Sequence, residues 1–309
     1  MADVAKDALL TPDDSALEGA SKLFGYLWNN AWKYGYDTAA GDADALHDMR
    51  VNLRRLRTAM KNFEGPKTAP VLSSHLRAEL REQSARVAKL GDVLGNVRDF
   101  DVLSEYVADY AKKKLDADVE SVEGLDKFVH YLQLQRAKAF TPMVKRVGRA
   151  QEMGELREQF ARWSLGLPAA DGTTITLQTA AHIILPRRLD EVKAHASSLE
   201  PNAHPEAHHD LRKAIRRVRY TLETLSVCFE ADVKPYVDKL VAMQDLLGEM
   251  QDREVIAQTC AQCFGKGEPE AIVAFNAHGT KRVSYLLGRV RTKWDEADKA
   301  GLWKELAEL

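Results

Sequence analysis

The sequence predicts an all-α fold made of two similar helical halves, and three observations predict it. Long stretches of the 309 residues use Ala, Leu, Glu, Lys, Arg and Gln, and aromatics make up only 7%. These residues favour helix over strand. One helical motif is stated twice. Residues 47–57 run His47, Asp48, Met49, Arg50, Val51, Asn52, Leu53, Arg54, Arg55, Leu56, Arg57. Residues 209–219 run His209, Asp210, Leu211, Arg212, Lys213, Ala214, Ile215, Arg216, Arg217, Val218, Arg219, at an offset of 162. Finally, Asp92, Leu94, Gly95 and Asp99 recur as Asp245, Leu247, Gly248 and Asp252, at an offset of 153. A repeat at near-constant offset is the mark of a duplicated unit. The fall in offset implies a deletion in the loop after the second half's basic helix.

Breakers and caps order the elements. Thr11, Pro12, Asp13 and Asp14 predict a helix start, with Pro in the first position, and a first helix running to near Asp37. A turn over Gly41–Asp44 leads into the His47 helix, which Gly65 and Pro66 end. A third helix is expected from about Pro70 to Gly95 and a fourth from Asp99, with Gly95 as a left-handed stop and Asp99 as an N-cap. A fifth spans Gly124 to Gly148, with a short extra helix over 154–163. The stretch 166–173 is the best linker, so the halves are 1–165 and 174–309. The second half repeats the order with a helix near 174–197, the His209 helix and three more. Gly248 and Asp252 are again expected to stop and cap.

The phase of the motif separates two faces. At ~100° per residue, His47, Arg50, Arg54, Arg57 and Lys61 share one side of the helix. Met49, Leu53, Leu56, Met60 and Phe63 form an apolar stripe beside it. His209, Arg212, Arg216 and Arg219 repeat the first stripe; Leu211, Ile215, Val218, Leu222 and Leu225 repeat the second. Stacked cations repel. An anion is therefore expected beside them, either protein carboxylates or a ligand.

Further cations recur at matched positions. Arg86 corresponds to Lys239, and Lys138, Lys145 and Arg149 correspond to Arg282, Arg289 and Lys293 at an offset of 144. Spacings of seven and four hold each trio on one helical face. The basic character is local, because 44 Lys and Arg face 46 Asp and Glu in the whole chain. Generic duplex DNA binding is not expected of such a balance. No apolar run reaches membrane-spanning length, and the N-terminus lacks a basic start followed by an apolar core. Three cysteines fit a reducing, cytoplasmic location. Cys260 and Cys263 have metal-ligand spacing but no second pair, so apolar helix positions explain them better.

The pattern His-Asp-x-Arg-x-x-x-Arg-Arg-x-Arg followed by Leu-Gly-x-x-x-Asp, stated twice in a helical chain, resembles the CHAD domain, a histidine-containing α-helical domain. The resemblance covers about residues 15–295. It implies two helical bundles related by a pseudo-two-fold axis, with a basic central pore or groove. It also implies binding of inorganic polyphosphate and, in some members, association with polyphosphate granules. No cofactor and no catalytic module are expected, and protein partners are unknown.

The residues suit that ligand. Polyphosphate carries about one charge per phosphate and no bases, so it needs cations along a path and no sequence code. The expected ligand residues are His47, Arg50, Arg54, Arg57, Lys61, His209, Arg212, Arg216 and Arg219. Arg86, Lys239, Lys138, Lys145, Arg149, Arg282, Arg289 and Lys293 are expected to extend the track. Arg187 and Arg188 are further candidates. Lys61 is matched by Glu223, so one end departs from symmetry. Asp92 and Asp245 could hold arginines in place or ligate a metal. The His-Asp pairs also suit a metal-dependent phosphohydrolase, although Asp48 lies ~100° from the stripe and further ligands would be needed. A helical scaffold or RNA-binding module is a third reading. No nucleophile or general-base constellation is evident, which favours a binding protein over an enzyme.

Overall fold

The computed structural model describes residues 9–65, 71–148, 150–167, 175–200 and 203–309, and these are all-α. The described residues contain no strand beyond one bridge between Ser15 and Thr176. Helix α1 (Ala16–Trp32) begins at Ser15, later than Pro12 suggests. Ser15 Oγ accepts from the Glu18 amide and Glu18 accepts from the Ser15 amide, a reciprocal cap, while the Thr11 amide donates to Asp14 Oδ2 in the turn before it. The helix also ends earlier than expected, at Trp32, and a separate α2 (Gly35–Ala40) follows. Gly41, at φ +101°, closes α2, and the Asp42 carboxylate caps α3 (Ala43–Glu64).

Next come α4 (Ser74–Tyr110), α5 (Leu125–Val147) and α6 (Ala150–Gly166). The second half supplies α7 (Leu177–Ala194), α8 (Pro205–Thr224), α9 (Lys234–Phe264), α10 (Glu270–Lys299) and α11 (Leu302–Glu308). The linker over 168–173 lies outside the described residues. Equivalent helices pack in the same order: α1 on α3, α3 on α4 and α4 on α5, then α7 on α8, α8 on α9 and α9 on α10. The halves meet through α3 against α8 and α1 against α7.

Two expectations need correction. Neither Gly95 nor Gly248 stops a helix, and neither Asp99 nor Asp252 caps one. Both glycines lie inside the unbroken helices α4 and α9. Nor does the deletion fall in the loop, since the inter-helix segments 65–73 and 225–233 are equally long. Instead α9 starts about two turns closer to its glycine than α4 does. Whole turns can be lost without rotating the cationic face.

The predicted apolar stripes form the core. Met49, Leu53, Leu56, Met60 and Phe63 are buried, as are Leu211, Ile215, Val218, Leu222 and Leu225. They join a main core shared by both halves. A second core, including Leu103, Val107, Phe128, Leu132, Ile256, Cys260 and Phe275, fastens the far ends of α4, α5, α9 and α10. Burial pushes the Cys260 thiol up to about 12, which suits an apolar core position.

Candidate functional site

Between the two cores the basic helices α3 and α8 face α4 and α9 across a cavity of about 470 Å³. Leu53 of the main core and Leu103 of the second both border it. The cationic walls are Arg50, Arg54 and Arg57 from α3 and His209, Arg212 and Arg216 from α8. Asp92, Asp99 and Asp252 line it from α4 and α9. A contiguous recess of about 290 Å³ shares Arg54, Arg57 and Arg216 and adds Thr58, Lys61, Lys213 and Arg217. No carboxylate lines that recess, but Lys213 pairs with Asp210 and Arg217 with Glu191 outside the lining.

The glycines explain how the arginines enter. A Cβ on Gly95 would lie 2.9 Å from Arg50 Nη1, and one on Gly248 would lie 3.1 Å from Arg212 Nη2. Each glycine thus leaves a notch in α4 or α9 that a guanidinium occupies. The aspartate four residues on lies one turn along the same face. Arg50 Nη2 donates to Asp99 Oδ1 at 3.3 Å, and Asp252 is the nearest opposite charge acting on Arg212. The Leu-Gly-x-x-x-Asp element is therefore an arginine seat within a helix.

Compensation is incomplete. Arg57 stands 4.0 Å from Asp92, at the edge of an ion pair. Arg54, Arg212 and Arg216 form no ion pair with any described residue. Arg54 Nε and Arg212 Nε are buried without an acceptor among the described residues. Burial first, then Arg54 opposite, holds the Arg216 guanidinium down at about 10, still a cation at neutral pH. Burial pushes the Asp99 and Asp252 carboxyls above the usual carboxylate range. Arg50 pulls the other way at Asp99, whose side chain is 62% exposed, and Arg212 does so at Asp252.

His209 lines the cavity, whereas His47 is exposed beside it. Both lie below the usual histidine range. Burial is the first cause in each, followed by Arg98 and Arg54 for His47 and by Lys213 and Arg212 for His209. Their neighbouring aspartates point elsewhere: Asp48 bonds Tyr34, and Asp210 accepts from Lys213 at 3.0 Å. No three His, Cys, Asp or Glu among the described residues are grouped to hold a metal ion.

Several expected residues do not reach the cavity. Arg219 stands 3.2 Å from Glu223 and over the Tyr220 ring. Arg86 pairs with Glu82 and faces Gln159 of α6. Arg282 grips Glu249 with two bonds of 2.8 and 3.0 Å, Arg289 donates to the Tyr285 hydroxyl, and Lys293 pairs with Glu296. Lys138, Lys145 and Lys239 are exposed, and none of them lines the cavity or the recess. Arg149 lies outside the described residues. Asp245 lines neither space. Arg187 donates to the Asn62 carbonyl; Arg188 is buried and donates to Asn62 Oδ1 at 2.8 Å, so both serve the junction of the halves. Sequence phase missed Lys213, which lies off the stripe but reaches the recess because α3 and α8 cross. Among the described residues no helix is long and apolar enough to cross a membrane.

The CHAD domain family model matches residues 29–261. The crystal structure of the CHAD domain from the plant Ricinus communis is similar at a TM-score of 0.65 and 23% identity, covering 97% of this chain and 94% of that one. PptA from Streptomyces chartreusis is similar at a TM-score of 0.62 and 18% identity, covering 92% of this chain and 100% of that one. No curated protein matches. The twice-stated motif, the helical fold and the match over most of its length agree: the chain belongs to the CHAD domain family.

Proposed function

We propose that this protein binds inorganic polyphosphate, without cleaving it, along a track formed by the cavity and its recess. One observation carries the reading. Arg54 and Arg216, from different halves, line the same space and have no ion-pair partner among the described residues. Several buried cations gathered without matching anions cost stability unless a ligand supplies the charge. Arginine forks suit phosphate oxygens, and Lys61 adds a point charge at the recess, as does Lys213, whose ammonium also donates to Asp210. A protein with this activity would be found in the cytoplasm, on polyphosphate granules where these form.

The test is titration of long-chain polyphosphate into wild type and the Arg54→Glu/Arg216→Glu variant, with circular dichroism to verify helicity. The variant should lose binding while staying helical. Equal affinity in both would refute the reading. For about six phosphates engaged at a slope of about 0.7 each, wild-type affinity should fall on the order of 10²–10³-fold between about 50 and 200 mM salt. RNA should compete poorly; displacement of polyphosphate by equal concentrations of RNA would point to a nucleic-acid module instead.

A further inference from the structure

The two halves end their cation stripes differently. At the recess, Arg57, Thr58 and Lys61 stand together with no carboxylate in the lining, while Arg217 beside them donates to Glu191 Oε2 at 3.0 Å. At an offset of 162 their counterparts are Arg219, Tyr220, Glu223 and Arg55. Here Arg55 Nη2 donates to Glu223 Oε2 at 3.1 Å, and Arg219 Nε stands 3.2 Å from Glu223 Oε1. Tyr220, 2% exposed, lies beneath both guanidiniums, whose centres are 5.7 and 4.7 Å from its ring. Where the first half has a threonine and a lysine beside open space, the second has a buried ring and a carboxylate that engages two arginines.

We infer that Glu223, held between Arg55 and Arg219, is an internal anion that closes the second half's end of the track, so that polyphosphate enters this protein from the Arg57–Lys61 side alone. The inference rests on the polyphosphate reading and deepens it. A carboxylate paired with two guanidiniums competes with phosphate for them, although Arg55 Nε and Arg219 Nε keep no hydrogen-bond partner among the described residues. Tyr220, a buried ring, stands at the position matched by Thr58, which lines the recess. On this reading a chain seated in the cavity leaves past Lys61 and not past Glu223, and the arginine at one motif position plays two roles: Arg57 binds ligand, Arg219 binds Glu223.

The experiment compares Arg57→Gln with Arg219→Gln, titrated with linear polyphosphate of long and three-phosphate length, alongside Arg54→Glu/Arg216→Glu. Arg57→Gln should weaken long-chain binding by about 10-fold or more, as loss of a charge-assisted contact does, and Arg219→Gln by less than about 2-fold on the same scale. Equal weakening by the two, with the double reversal still abolishing binding, overturns the inference and leaves the polyphosphate reading standing. Binding that survives the double reversal overturns both. Glu223→Lys restores the first half's pattern and should steepen the salt dependence for long chains by about 0.7 for each phosphate added, with no change for triphosphate. An unchanged slope in folded Glu223→Lys also overturns the inference. The glutamine pair decides the matter if Glu223→Lys fails to fold.

Discussion

Arg50 occupies the space that a side chain on Gly95 would need, its Nη1 lying 2.9 Å from the position of a Cβ. Glycine inside a helix normally costs about 1 kcal/mol relative to alanine. Its use in mid-helix, at Gly95 and again at Gly248, makes room for an arginine from another helix. Gly95→Ala should therefore leave thermal stability unchanged or slightly raised, because the obstructing atom is the tip of a flexible side chain. Polyphosphate affinity should fall several-fold as Arg50 is re-aimed. A drop in Tm of many degrees would instead assign the glycine a backbone role.

The histidines should make the free protein sensitive to mild acid. His47 and His209 have folded pKa values below 6.5, so the native state resists their protonation more than the unfolded chain does. Their contribution to stability is complete above about pH 6.5 and is lost as pH falls through the folded values. Bound phosphate favours the charged rings, so affinity should rise over the same window. Tm and affinity measured from about pH 7.5 to 5 should both show a component absent from the His47→Ala/His209→Ala variant. Identical profiles would remove the histidines from the site.

Asn62 ties the halves together. It accepts from buried Arg188 of α7 at 2.8 Å and donates to Thr221 Oγ1 of α8 at 2.9 Å. Asn62→Leu leaves Arg188 without that acceptor and should cost about 1–3 kcal/mol in urea unfolding. A change below about 0.5 kcal/mol would show that Glu191, which also pairs with Arg188, suffices alone.

The outlying cations should matter little. Neutralising Lys138, Lys145, Lys239 and Arg289 to glutamine should change polyphosphate affinity by less than about threefold at 150 mM salt, where the screening length is about 8 Å. A loss comparable to that from Arg57→Gln would extend the track over the surface.

Composition and periodicity were enough to read the helical class, the buried stripes of α3 and α8 and the cationic faces beside them. These follow from a 3.6-residue period, a local property that any amphipathic helix displays. The sequence also exposed the duplicated motif and the odd match of Lys61 with Glu223. Local chemistry misled where tertiary contacts override it. Gly95 and Asp99 have the residue types of a stop and a cap, but Arg50 takes the glycine notch and the aspartate, so α4 runs on. Which cations share a space depends on how the helices pack. Arg54 and Arg216 converge because α3 crosses α8, while Arg282, in equally good phase, turns to Glu249. Phase fixes the face on which a side chain stands. The partner it meets depends on how neighbouring helices pack, and that packing separates Arg57, open to the recess, from Arg219, spent on Glu223.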